Sequence, residues 1–571
     1  MKRLKNLLTL VLFLSTGSIF AQNPERVYPQ NYFRPPLDLA PQASGSFGEL
    51  RANHFHSGTD YRTNQREGYP VYAVADGFIS RARVQISGGG NALYIDHPNG
   101  YTSVYMHLQK YNKAIANVVK AKQYELQQFS VDFPPGKNVI PVKKGDIIAY
   151  SGNTGGSGGP HLHFELRDTK TEETLNPQLF GLMIPDAIPP AISGFTIFRL
   201  GESPFSENTP REHLQVTGSK GNYRLSSGGT LSVNGNTGFG IIASDQNSAS
   251  ANRNGIYSLE LLLDGNTIYK STFSGFFFHH NRALNSYIDY PSYIFKSQRI
   301  QKSFVEPGNP LTIYSNLVNN GLIDIKDDQI HEMQYRVKDV KGNTSTLSFS
   351  VRYSPSLEID QSLKEGTFLL PYNQVNIFKR EDVMVDIPSN SLYSNLNFLY
   401  SKSPKRANGL SEVHHIHNRM IPLHNSYTLS IKASQDLSPY QQSKALLIDS
   451  RGRSHGGNYE KGFVKSAVRE FGSFYIGVDT EAPVIRALNI SANKSMAGIS
   501  RINLKISDNL SGIKSFNGYI DDKWVLMEYD SKTASLWHVF ETDLPKGKHS
   551  FKLIVVDGKD NEKVYQVNFI K

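Results

Sequence analysis

The run ALYIDHPNGYTSVYM (92–106) sets Pro98-Asn99-Gly100 between two segments of alternating apolar and polar residues. An Asn-Gly pair between β-branched and aromatic residues is a strong hairpin signal, because both residues tolerate the backbone that a tight reversal needs. The same texture, short runs rich in Val, Ile, Tyr and Phe cut by glycine, fills most of the chain. With 30 Tyr, 31 Phe and 46 Gly and few helical periodicities, the expected fold class is mainly β. YPVYAVADGFISRARV also alternates around Ala75-Asp76-Gly77 like a hairpin. One stretch departs: KYNKAIANVVKAKQYELQQFS (110–130) spaces Tyr111, Ile115, Val118 and Val119 at helical intervals. It predicts a helix set between strands and ending near FPPGK.

At 571 residues the chain predicts three or four domains. MKRLKNLLTLVLFLSTGSIFAQ has a basic start, an apolar stretch and a small residue before a cut at Gln22, so residues 1–21 read as a secretory signal peptide. No later run approaches a membrane span, so none is expected in the mature chain. QNPERVYPQNYFRPPLDLA is an extended lead-in. Clustered prolines in GLMIPDAIPPAISGF and TEAPVI mark boundaries near 185 and 480. The expected units are 22–185, with a helical insert at about 109–142, then 186–354, 355–479 and 480–571. The second and fourth units share a loose repeat. SDQNSASANRNGI, LELLLDGNTIY and HEMQYRVKDVKGN run parallel to SDNLSGI, FNGYIDDKWV and KGKHSFKLIVVDGKDN. That order predicts antiparallel β-sandwiches of immunoglobulin-like type, two or three in all.

The chain has no cysteine, so any metal site must draw on His, Asp or Glu. The formal charge is +10, or +7 once the basic leader is removed, which suits an anionic polymer such as a cell wall and equally suits ordinary variation. No nucleic-acid motif is present.

Three segments before residue 170 carry chemistry. NHFHSGTDY holds His56 and Asp60, YTSVYMHLQ holds His107, and GGPHLHFELRD holds His161 and His163. On a strand, His161 and His163 share one face, as does Glu165. Catalytic zinc takes three protein ligands and leaves a position open. His56, Asp60 and one of the strand pair complete such a set, with Gly58 permitting a local bend. His107 and the remaining histidine are then free to handle protons and an oxyanion.

Together GELRANHFHSGTDY, VYAVADGFI, GGGNALYIDHPNGYTSVYMHL and VKKGDIIAYSGNTGGSGGPHLHFEL resemble the lysostaphin/LytM-type zinc endopeptidases, over about residues 45–170. The resemblance implies a small antiparallel β-domain with a groove across its sheet. It implies zinc on His56, Asp60 and His163, with His107 and His161 catalytic, and peptidoglycan peptide as substrate. It therefore implies a metalloendopeptidase of the periplasm, cell envelope or exterior. A silent binder or activator that keeps the fold is one alternative, and a zinc endopeptidase acting on protein is another; protein partners on the C-terminal sandwiches are conceivable. The 109–142 insert departs from the family and is expected near one wall of the groove. SGNTGGSGGP is expected to be a flexible loop that lets substrate backbone approach the zinc. Outside this set, VHHIHN carries His414, His415 and His417, the last two expected on one strand face, and His54 is a possible orienting group.

Overall fold

The computed structural model describes residues 26–137, 139–356, 366–542 and 544–571. The expected signal peptide lies outside them. Strands dominate, and no helix among the described residues is long and apolar enough to cross a membrane.

The first unit is built on an antiparallel sheet. Its strands are β1 (Ala43–Gly45), β2 (Thr59–Arg62), β3 (Gly77–Val84), β4 (Ala92–Asp96), β5 (Tyr101–Met106), β6 (Val131–Phe133) and β7 (His161–Asp168), in the order β1-β2-β7-β5-β4-β3-β6. The sequence of β7 explains its central place. Leu162, Phe164 and Leu166 alternate on one face and are fully buried in the core with Ile79, Leu93 and Tyr105. Phe164 packs edge-on against Tyr105, with ring centroids 5.3 Å apart. His161, His163, Glu165 and Arg167 project from the other face. The β4–β5 hairpin forms as expected, with Gly100 at φ 84° and the His97 N–H donating to the Tyr101 carbonyl.

The second expected hairpin does not form. Pro70–Tyr72 joins a separate small sheet with Ile147–Tyr150 and Lys110–Tyr111. The Asp76 carboxylate accepts from the Lys144 N–H (2.8 Å) and the Lys143 ammonium (3.0 Å), which binds the turn to the 143–146 segment instead.

The insert contains α1 (Lys113–Leu126). Tyr111 is not part of it: it pairs with Ala149 and donates its hydroxyl to the Arg83 carbonyl. The Asn112 side chain accepts from the Ile115 N–H and starts the helix there. Gln127, left-handed, ends it well before FPPGK, and β6 intervenes. Ile115 and Val119 face the core. β6 extends the sheet at its far edge, separated from β7 by β3, β4 and β5, so this part of the insert lies away from the β7 face.

Three further cores follow, with members drawn from 192–351, 370–476 and 490–569. In the first, β8 (Ala191–Gly201) and β9 (Asn236–Ser244) lie in a four-stranded sheet against an eight-stranded sheet that contains β10 (Ile330–Lys338). In the last, a four-stranded sheet containing β11 (Arg501–Ser507) faces a five-stranded sheet containing β12 (Lys548–Asp557). The first unit is fused to its neighbour. Glu173–Leu175 pairs with Gly275–Phe277, and Phe47 and Phe55 share a cluster with Phe273, Phe276 and Tyr287.

The last sandwich folds back onto α1. Lys120 meets Glu541 at 2.7 Å, but both are well exposed, and such a pair contributes about 0–1 kcal/mol. The contacts of Tyr124 with Trp524 and of Phe129 with Phe516 carry more of the junction. Because Phe164 closes the core beneath β7, Phe164→Ala is expected to cost about 3–5 kcal/mol, read as a lowered urea midpoint.

Candidate metal centre

β2 and β7 are neighbours, and the register sets Asp60 directly opposite His163. His56 lies in the bend just before β2. Its Nε2 is 3.0 Å from Asp60 Oδ1 and 2.9 Å from His163 Nδ1, and His163 Nδ1 is 2.9 Å from the same Asp60 oxygen. Two nitrogens and one carboxylate oxygen therefore converge on one point, and all three residues are buried. Gly58 serves this convergence by close approach rather than by an unusual bend. A Cβ there would lie 2.3 Å from the Phe164 carbonyl oxygen and 3.0 Å from His163 Nε2.

The surroundings fix which nitrogen faces inward. His56 Nδ1–H donates to the Ser46 carbonyl (2.8 Å), leaving the Nε2 lone pair for the centre. His163 Nε2–H donates to Glu165 Oε1 (3.0 Å), which turns Nδ1 toward the centre. Glu165 is itself held by the Ser57 hydroxyl (2.5 Å) and the Arg167 guanidinium (2.7 Å). Burial opposes charge on His163, but the hydrogen bonds to Asp60 and Glu165 outweigh it and raise the imidazole to about 9. Burial likewise opposes the Glu165 anion, and Arg167 and His163 outweigh it, lowering the group to about 2. Asp60 is held well below the usual carboxylate range: burial works against this, and His56, His161 and His163 overcome it. A nest of donors this electronegative, with both imidazole tautomers oriented by carbonyl or carboxylate, fits a divalent ion of the zinc type.

His107 and His161 flank these donors. Their rings are 4.8 Å apart, and that of His107 is 5.9 Å from that of His163. His107 Nδ1–H donates to the Thr154 carbonyl (2.9 Å) and His161 Nδ1–H to the Gly159 carbonyl (2.8 Å). Nδ1 of each ring is thus engaged by a main-chain carbonyl, and Nε2 of His161 faces Asp60 Oδ1 at 3.4 Å. Burial, then the nearby charges of His163 and His161, lower His107 to about 3, so it is a neutral acceptor at ordinary pH.

The loop that feeds β7 is packed at Gly155 and open at Gly158 and Gly159, where a Cβ would meet nothing within 4 Å. Gly155 meets Gly88 and Gly90 so closely that a Cβ would lie 2.3 Å from the Gly90 nitrogen, and the Gly156 N–H donates to the Gly88 carbonyl. Gly155 serves backbone-to-backbone packing. From outside, the Lys532 ammonium of the last sandwich donates to the Asn153 and Ser157 carbonyls, and the Ser531 hydroxyl to the Ile86 carbonyl.

The other histidines stay apart from the centre. His54 is exposed and donates to the Ala52 carbonyl, so the Ser46 carbonyl does the orienting expected of it. His414 meets the Tyr400 hydroxyl and His415 lies between Ser403 and Ser473. His417, at φ 51° beyond the strand end, pairs with Glu207 at 3.1 Å. Ser46, Ser57, Thr154 and Arg167 take part in the centre although their residue types alone announce no role.

A His-Asp-His donor set with two further imidazoles beside it, on one face of an antiparallel sheet, is the arrangement of a hydrolytic metal centre. Residues 54–124 and 126–177 match the peptidase family M23, and this part of the chain is an M23 domain. Residues 367–479 match a Zu5-like domain. The chain is 35% identical over 157 residues to an uncharacterized metalloprotease of Haemophilus influenzae, covering 26% of this chain and 28% of that protein. It is 31% identical over 166 residues to the peptidoglycan DD-endopeptidase ShyC of Vibrio cholerae, covering 28% of this chain and 31% of the relative. The chain thus spans under a third of either relative. Among solved structures, the catalytic domain of lysostaphin from Staphylococcus simulans aligns at 29% identity and a TM-score of 0.18, covering 24% of this chain and 87% of that one.

Gly58→Ala is expected to push β2 from β7 and to destabilise the first unit by about 1–3 kcal/mol, measured by thermal melting.

Proposed function

We propose that this chain is an exported zinc metalloendopeptidase that hydrolyses peptide bonds in peptidoglycan cross-links. The observation that carries the reading is the pairing of three convergent donors with two imidazoles beside them, each held through Nδ1 by a main-chain carbonyl. His56, Asp60 and His163 hold the ion. Zinc bound there supplies a Lewis acid that activates water at neutral pH and polarises the scissile carbonyl. His107, kept neutral, accepts a proton from the attacking water through Nε2. His161 faces the same space, and a protonated Nε2 on either ring donates to the developing oxyanion and then to the departing amine. Glu165, through Nε2–H of His163, turns Nδ1 toward the ion and raises the basicity of that ligand nitrogen.

The substrate class is supported by the names of the relatives, of which ShyC is a peptidoglycan DD-endopeptidase. Export is supported by the basic-then-apolar leader at 1–21. The catalytic unit is 22–185. The units 186–354, 355–479 and 480–571, the first and last immunoglobulin-like, space or target it in the envelope.

Purified sacculi are the test substrate, with released muropeptides read by mass spectrometry. New amino termini at cross-link peptides are expected, and cleavage of denatured protein but not sacculi overturns the reading. His163→Ala is expected to lose zinc and activity together. His107→Ala and His161→Ala are expected to keep zinc while activity falls by about 10²–10⁴-fold. Removal of metal with a chelator is expected to abolish hydrolysis, and added Zn²⁺ to restore it. Glu165→Gln is expected to weaken zinc binding by about 10–100-fold in a competition titration.

A further inference from the structure

The repeat shared by the second and fourth units places an aspartate at three equivalent points. One precedes the prolines that lead into the first strand (Asp186; Asp479), one follows the strand ending in Ser (Asp245 after β9; Asp508 after β11), and one closes the long strand (Asp339 after β10; Asp557 at the end of β12). In each unit one carboxylate oxygen from each of the three lies within 4.8 Å of the others. Asp339 is fixed by the N–H (2.9 Å) and side-chain amide (2.6 Å) of Asn343, as Asp557 is by Asn561.

The two clusters differ in what balances their charge. In the fourth unit Lys559, two residues after Asp557, is buried, and its ammonium is within reach of the charges of Asp479 and Asp557. The equivalent Lys341 in the second unit is exposed. There Asp245 is only 6% exposed, and its Oδ1 has no hydrogen-bond partner, a feature shared by Asp508 Oδ1 in the fourth unit, where the buried lysine lies near. Asn254 sits opposite Asp245 on a β-bridge, 3% exposed, and its Oδ1 also has no partner. The Asn254 amide donates to Asn247 Oδ1 (2.6 Å), and the Asn247 amide reaches Asp186 Oδ2 (3.4 Å), which ties this second acceptor to the cluster. Burial, then the charges of Asp186 and Asp339, push Asp245 up to about 8. Buried acceptors without donors are costly, and three facing carboxylates repel unless a cation lies among them.

We infer that Asp186, Asp245 and Asp339, with the Asn254 side-chain oxygen beside them, form a calcium site at the junction of the first and second units. The donors are all oxygen, anionic and irregularly placed, which suits Ca²⁺ rather than a nitrogen-seeking metal. The site lies at the base of the 246–253 loop. That loop and its edge reach the first unit: Arg62 donates to the Ser250 hydroxyl, the Asn252 amide to the Ser44 carbonyl, and the Gly255 N–H to the Ser46 hydroxyl. A calcium ion at its base pins the segment that buttresses β1 and β2.

The test uses the full chain without its leader, freed of calcium and kept saturated with Zn²⁺, titrated with CaCl₂ by calorimetry and followed by thermal melting. The wild type is expected to bind calcium at this site and to melt several degrees higher in millimolar CaCl₂. Asp245→Asn is expected to bind one equivalent fewer and to lose that rise. Asp186→Asn, on the half-buried linker, repeats the measurement should Asp245→Asn fail to fold. Calcium uptake and melting shift equal to wild type in a folded variant, or no uptake by the wild type, overturns the inference. Neither readout depends on peptide hydrolysis.

Discussion

The pairing of β7 between β2 and β5 is the constraint on which the site depends. Strand side chains alternate with a period of two, so a slip of one residue would turn His161, His163 and Glu165 into the core and expose Leu162, Phe164 and Leu166. The apolar face prevents that slip. Fully burying each of these three side chains is worth roughly 1.5–3 kcal/mol, so that together they outweigh any single hydrogen bond on the polar face. The register that satisfies the core also sets Asp60 across from His163. The geometry of the centre is thus held largely by groups that never touch it.

Much of this was legible in the residues themselves. The shared face of His161 and His163 follows from strand alternation alone, and the Asn99-Gly100 turn is chemistry that admits few structures. His107 shows where alternation fails. Two residues after the buried Tyr105, it belongs by period on the core face, yet at φ 60° the chain leaves the strand and turns the ring toward His161. His417 escapes its strand face in the same way. The Pro70–Val84 run misleads for another reason: two alternating segments around a turn look like a hairpin, but hydrogen bonds from residues 143 and 144 to Asp76 send them to different sheets. Gly58 and Gly155 are needed for close backbone approach, which only the packed fold reveals.

The orientations of the four imidazoles are set by three main-chain carbonyls and one carboxylate, that of Glu165. Ser46, Thr154 and Gly159 contribute main-chain oxygens, so their identity as serine, threonine or glycine carries no signal. What a family pattern records is the ring; what makes the ring useful is a neighbour placed by the fold. The two sandwiches teach the complementary lesson. Their repeat is visible in sequence as a string of loops, but only its folded form shows that three aspartates meet, and that one lysine turns inward in one copy and outward in the other.

The contact of Lys532 with the Asn153 and Ser157 carbonyls ties the loop beside His107 and His161 to a residue made more than 300 positions later. Its order of assembly follows from that. A chain emerging amino end first completes β7 and its histidines early, while the outer brace of their loop exists only after the last sandwich has closed. The site is finished by the far end of its own polypeptide, which ties its final shape to completion of the whole molecule.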